Sequence, residues 1–426
     1  MRIVTADEFR KAVSGLRTGW SGEFEEAVRP VLEQVRKDGD HALLLYTERF
    51  DGVRLAPDKI EVTREEVKAA WDLVDDGFVA ALTRAHDNVV RFHRKALPGS
   101  WTTFEDDGTM LGQIMRPLDR VGVYVPGGTA SYPSSVIMAV VPAKVAGVRE
   151  IVICTPPGKD GKVSPLILVA ADICGVNRVF RVGGAQAIGA MAYGTETVPR
   201  VNKIVGPGNA YVTAAKRLVY GFVDIDMLAG PSEVMVIADG NADPDLVASD
   251  LIAQAEHDSM SHAVLVTDSA SLAFNVDSRI AEMLKTLPRR EIAAKAIDAS
   301  GFLVVVRDLE EAVDIVNSYG PEHVQIMVDD SAALLAKVRN AGAVFVGRWS
   351  PVAAGDYCVG PNHILPTGGS AASFGALSTS SFVKVTNFAF LSKVHLLEVD
   401  DCIGTLACAE GLAGHAMSVQ MRRGKP

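Results

Sequence analysis

From Val121 onward, short apolar runs alternate with stretches of helical periodicity, and turn residues stand where each run ends. Val121 to Val125 leads into Pro126-Gly127-Gly128, Ile151 to Cys154 into Thr155-Pro156-Pro157, Val179 to Val182 into Gly183-Gly184, and Ile204-Val205 into Gly206-Pro207-Gly208. This punctuation predicts strands joined by helices, hence a parallel sheet with helical cover. A second series follows at Val234 to Ile237, Ala263 to Thr267, Phe302 to Val306, Val324 to Val328 and Ala343 to Val346. Two doubly wound α/β units in one chain are therefore expected.

The flanks read differently. The first hundred residues predict helices: Thr5 with Glu8 and Thr63 with Glu66 form capping-box patterns, and Phe24, Ala27, Val28, Val31, Leu32 and Val35 make an apolar stripe. Pro30 is a candidate kink and Gly39 a candidate stop. Asp107-Gly108, between Trp101 to Glu105 and Thr109 to Ile114, predicts a hairpin turn. Farther on, Asp243 and Pro244 mark a helix start, and Leu246, Val247, Leu251 and Ile252 carry that helix to Gln254.

Composition narrows the class. The chain has 426 residues, 48% of them hydrophobic, enough for two or three domains with real cores, and its 38 glycines fit many tight turns. Net charge is −10 with both signs interspersed, which leaves no basic face for nucleic acid and no basic tail for a membrane. Neither an apolar signal core nor an apolar run near membrane-spanning length is present, so a cytoplasmic protein acting on small molecules is expected. The five cysteines lack Cys-x-x-Cys spacing and fit reduced thiols, so a metal here would take N and O ligands.

Four segments carry candidate chemistry. Gln254 and His257 lie three apart near a helix end, aimed at one spot as a metal site requires. Glu322 and His323, in Gly320-Pro321-Glu322-His323, stand where a helix ending at Tyr319 meets a strand, and adjacent carboxyl and imidazole groups suit proton transfer. Gly355 to His363 reads as a loop holding Asp356 and His363. Glu410 and His415 follow a helical stretch from Ile403. Each alone also reads as a polar turn or a solvated helix end. No glycine turn matches G-x-G-x-x-G, so the turns between residues 122 and 209 are candidate cofactor loops without a nucleotide signature.

Taken in order, these segments resemble the histidinol dehydrogenase family along nearly the whole chain. The matching stretches are Val123 to Gly128, Gly183 to Gln186, Gly206 to Asn209, Ala229 to Glu233, Gln254 to His257, Gly320 to His323, Gly355 to Tyr357, Asn362-His363 and Glu410 to His415. The resemblance implies an NAD-dependent, zinc-containing oxidation of L-histidinol through the aldehyde to L-histidine. It implies zinc held by Gln254, His257, Asp356 and His415, a substrate pocket that also includes Ser232, His323, His363 and Glu410, and NAD contacted by Tyr124, Gln186 and Asn209. His323 is then the expected base for the alcohol and Glu322 the expected activator of water. A homodimer is implied, the C-terminal segment of one subunit completing the site of the other.

The expected architecture is two doubly wound, Rossmann-like parallel-sheet domains with a helical N-terminal segment and a C-terminal helical tail. Residues 1–20 form the arm, 21–122 with 233–372 one α/β domain, 123–232 the other with the NAD loops, and 373–426 a tail exchanged between subunits. Val352 stands where many family members have Glu, and Ala371-Ala372 where many have Arg. These departures keep open a related dehydrogenase of another polar diol, such as a sulfonated propanediol. A zinc-stabilised binding protein and a zinc hydrolase are further alternatives, which NAD binding and turnover separate. Of the remaining histidines, His262 lies nearest the expected ligands.

Overall fold

The computed structural model describes residues 1–14, 22–127, 131–228 and 230–424. Gly128, Ala229 and residues 15–20 of the expected arm thus lie outside the described residues. Met1–Ala96 with Leu118–Phe382 form one compact unit, and Leu97–Pro117 with Val383–Pro426 form another.

In the first unit the strand Glu233–Ala238 is buried at every position, as a run that must pack helices on both faces requires. His262–Thr267 pairs with it on one side and His323–Met327 on the other, both parallel. The complete order is Arg2–Thr5, Gly301–Val305, His262–Thr267, Glu233–Ala238, His323–Met327, Ala343–Val346. The chain winds outward from Glu233–Ala238 through the strands at 262 and 301, then reverses to the strand at 323, so the winding switches beside Glu233. Val234 and Val236 pack under helices Pro244–Ala255 and Ala270–Met283 on one face, while Met235 and Ile237 pack under Leu309–Tyr319 and Ala6–Val13 on the other.

Two helix ends position the chemistry. The Asp243 side chain accepts from the Asp245 N–H and Pro244 opens the helix, which ends at Ala255 with Gln254 in its last turn. Asp308 caps Leu309–Tyr319, and Gly320 closes it at φ 61, a left-handed conformation that glycine adopts without a Cβ penalty. The chain therefore turns sharply from that helix through Pro321 and Glu322 into the strand that His323 begins.

A second parallel sheet in the same unit runs Arg178–Phe180, Glu150–Cys154, Arg120–Tyr124, Lys203–Val205, Asp224–Ile225. Its glycine and proline turns follow the carboxyl ends of the strands, as the sequence predicts. The helix Gly22–Asp51 covers it: Val28, Val31, Leu32, Val35 and Leu43 share a core with Val152, Phe180, Ile188 and Val212. The backbone of that helix leaves helical angles at Gly39 and not at Pro30.

These facts correct the expected division. Residues 22–51 pack with the sheet of 120–225 and not with 233–372, because their apolar stripe is complementary to the helices on that sheet. Arg2–Thr5 is an edge strand paired with Gly301–Val305, although its largely exposed residues give little apolar signal. Leu377, Thr379 and Phe382 are buried in the first unit, so the tail separates after Phe382 and not at 373.

The second unit is antiparallel. Trp101–Phe104 and Met110–Pro117 form the expected hairpin, and Val383–Phe390, an unpredicted strand, pairs along the full length of Met110–Pro117. Helices Lys393–Ala409 and Ala413–Arg423 complete it, joined by an ion pair between Asp400 and Arg423. Among the described residues no helix is long and apolar enough to cross a membrane, and all five cysteines are free.

Candidate active site

A pocket of about 360 Å³ opens between the two parallel sheets of the first unit. Gly206, Pro207, Gly208 and Asp226 reach it from the carboxyl edge of the smaller sheet. Ser232, Gln254, His257, Glu322, His323, Asp356 and His363 line it from the larger one. The rule that ligands gather at carboxyl ends of parallel strands describes the smaller sheet only. On the larger sheet the chemistry sits at the amino edge: Ser232 precedes one strand, His323 begins the next, and Gln254 and His257 close the helix that feeds a third.

The peptide of Glu233 organises Glu322 and His323. Its N–H donates to Oε2 of Glu322 at 2.9 Å, and its carbonyl lies 3.0 Å from Nδ1 of His323. A carbonyl only accepts, so Nδ1 carries the imidazole proton and Nε2 presents a lone pair. That Nε2 is buried without a hydrogen-bond partner, 3.7 Å from Oδ1 of Asp356. Burial lowers His323 to about 4, against the favourable bond to Glu233, so the ring is neutral near pH 7. Burial also pushes the Glu322 carboxyl well above its ordinary range, opposed by the Glu233 N–H and reinforced by the charges of Glu233 and Asp356. A neutral imidazole beside a carboxyl of raised proton affinity is a pair of bases held by one peptide.

Asp356 lies in the short helix Val352–Tyr357, where a loop was expected, and its burial raises it to about 6. Its carbonyl accepts from Nδ1 of His363 at 2.8 Å, which leaves Nε2 of His363 toward Ser135 Oγ at 3.5 Å. Gln254 is 3% exposed, whereas His257 keeps an exposed surface and donates its N–H to the Gln254 carbonyl. Val352 and Ala371 are buried outside the pocket lining. His262 is also outside it; its Nδ1 is 2.6 Å from the Tyr319 hydroxyl.

Tyr124, Gln186 and Asn209 are not among the lining residues. Two of them sit behind the glycine turns: the Tyr124 hydroxyl accepts from the Gly184 N–H at 3.2 Å, and Gln186 is fully buried with neither amide atom bonded. Asn209 is exposed and caps helix Ala210–Val219. Gly206, at φ 114, passes so near Tyr124 that a Cβ there would stand 2.1 Å from the Tyr124 carbonyl oxygen.

Glu410 and His415 belong to the second unit and are exposed, Glu410 at the end of Lys393–Ala409 and His415 in Ala413–Arg423. Among the described residues, the His, Cys, Asp and Glu side chains gathered closely enough for a metal are Asp107, His395 and Glu398, also in that unit. Sequence reasoning assigned no role to Glu233; the signal available was an acidic residue at the start of a strand that is otherwise wholly apolar.

Two parallel sheets facing each other across a pocket that holds a buried carboxyl and a neutral imidazole define an α/β protein with a site suited to proton transfer. The family model for histidinol dehydrogenase matches residues 17–423. Histidinol dehydrogenase of Syntrophotalea carbinolica is 51% identical over 398 residues, covering 93% of this chain and 92% of that protein. That of Methanopyrus kandleri is 52% identical over 401 residues, with 93% of each covered. The crystal structure of histidinol dehydrogenase from Elizabethkingia anophelis superposes with a TM-score of 0.90 at 38% identity, covering 93% of this chain and 91% of that one. The chain belongs to the histidinol dehydrogenase family and is an oxidoreductase.

Proposed function

We propose that this protein oxidises L-histidinol through L-histidinal to L-histidine, the last step of histidine biosynthesis, passing two hydrides to two molecules of NAD at a zinc-containing site. The observation that carries the reading is His323, a neutral imidazole whose Nδ1 is tied to a carbonyl while Nε2 is buried, unbonded and in the pocket wall.

The donor chemistry fits both groups. Gln254, His257 and Asp356 offer an amide, an imidazole and a carboxylate to one pocket, a mixed N/O set suited to zinc, with His415 as the fourth ligand. Gln186, whose buried amide has no protein partner, is where a cofactor would supply one, with Tyr124 and Asn209 as the other contacts. When bound, NAD accepts hydride and zinc acts as a Lewis-acidic template that orients the substrate's nitrogens.

The chain's own residues then divide the work. Nε2 of His323 removes the alcohol proton as hydride departs. Glu322, one oxygen held by the Glu233 N–H, takes a proton from the water that adds to the aldehyde. Ser232, His363 and Glu410 hold the substrate. We assign Glu410 and His415 to the neighbouring subunit's pocket in a homodimer. The second unit supports this with a dense set of exposed apolar residues, among them Phe104 at 74%, Phe390 at 59%, Leu406 at 59% and Met421 at 64%. Free cysteines suit a cytoplasmic setting.

The test is stoichiometric. Zinc-loaded protein is given L-histidinol and NAD, and NADH is counted per histidinol consumed. Two per substrate, abolished by a chelator, is the expected result; turnover of another polar diol with none of histidinol contradicts it.

A further inference from the structure

Glu233 is the hinge of the acid/base pair, and its side chain is itself held from behind. The carboxylate is 3% exposed, with the Gly368 N–H donating to Oε2 at 3.2 Å and the Tyr319 hydroxyl 3.3 Å from Oε1. The hydroxyl in turn lies 2.6 Å from Nδ1 of His262. The Tyr319 O–H donates to Glu233, and a hydroxyl has one hydrogen to give, so it accepts from the His262 N–H. His262 stands opposite Glu233 in the sheet register, and its Nδ1 is 3.8 Å from Oε1 of that carboxylate. Tyr319 ends the helix that delivers Glu322 and His323, and its ring packs against Phe9.

Resting on the functional reading above, we propose that Tyr319 and His262 are positioning residues for catalysis: together they fix the Glu233 peptide, and through it the orientation of Glu322 and the tautomer of His323. Glu233 is the first residue of its strand, where the chain has just left an irregular segment. Without its side-chain anchor that peptide is free to tilt, and a tilt misaims both proton-transfer groups at once, because one hangs from its N–H and the other from its carbonyl. Neither Tyr319 nor His262 lines the pocket, so substrate and cofactor binding do not depend on them.

A purely structural network would alter stability alone, which sets the test. Tyr319→Phe deletes the hydroxyl and keeps the packed ring. Tyr46→Phe, which removes a buried hydroxyl bonded to Gln34 at 2.7 Å, is the control for stability. We expect Tyr319→Phe to lower kcat of both oxidation steps about tenfold, the scale of one orienting hydrogen bond, with KM for NAD and L-histidinol within about twofold of the wild type. Tyr46→Phe keeps its kcat at a comparable loss of melting temperature. His262→Ala should repeat the kcat loss and His262→Gln, which retains a donor, should recover most of it; this pair decides the matter if Tyr319→Phe does not fold. Unchanged kcat in Tyr319→Phe, or in His262→Ala, overturns the inference. An inactive wild type removes the functional reading and this inference with it, whereas an active wild type with unimpaired variants overturns this inference alone.

Discussion

The two sheets bring opposite ends to one pocket and contribute different materials. The smaller sheet offers its carboxyl edge, where backbone turns at Gly184 and Gly206 close around Tyr124 and the acidic side chain in the pocket lining, Asp226, is tied up by Lys216 and the Gly206 N–H. The larger sheet offers its amino edge, where Glu322, His323 and Gln254 are buried side chains set by helix ends and strand starts. Backbone N–H groups and glycines suit a large cofactor that must lie close to the main chain, while side chains suit proton transfer and metal binding. Under the proposed function, one edge binds and the other reacts.

The largest effect expected from breaking this contrast is on the reacting side. His323→Asn should lower kcat by about 10²–10⁴-fold, the range of a positioned acid/base group, while steady-state KM for NAD stays near the wild-type value. Glu322→Gln should slow aldehyde oxidation by at least about 10²-fold and spare alcohol oxidation, measured by supplying L-histidinal and L-histidinol separately; equal losses would remove the division between the two residues. On the binding side, Gln186→Met replaces an unbonded buried amide by an apolar chain of similar length. Calorimetric melting of the cofactor-free variant should show it about 1 kcal/mol more stable, while its NAD affinity falls. The smallest effect concerns Asp51, at the end of Gly22–Asp51, which burial raises to about 6. A carboxyl whose folded value is raised destabilises the protein as pH climbs from ~4 through that value, so Asp51→Asn should raise the melting temperature at pH 8 and leave it unchanged at pH 4.

Much of the fold was legible because the parallel strands are uninterrupted apolar runs, and their turns carry Gly and Pro. The strands from Arg120–Tyr124 to Ala343–Val346 fall within a few residues of the expected runs, apart from the two-residue Asp224–Ile225. Arg2–Thr5 and Val383–Phe390 escaped notice because both are largely exposed strands without a buried run. Gln254, His257, Glu322, His323, Asp356 and His363 converge as the motifs suggested, since each lies next to a helix end or strand start that local signals mark. Which edge of the larger sheet meets the pocket was not legible, because it depends on how two distant sheets pack. Glu410 and His415 carry no local sign of the task proposed for them, an exposed helix end being polar in any protein.

The most direct test of the contrast is NAD affinity, measured by titration calorimetry on zinc-loaded wild type, Gln186→Met and His323→Asn. Weakened binding in Gln186→Met and unchanged binding in His323→Asn are expected. Full affinity in Gln186→Met together with lost affinity in His323→Asn would contradict that contrast.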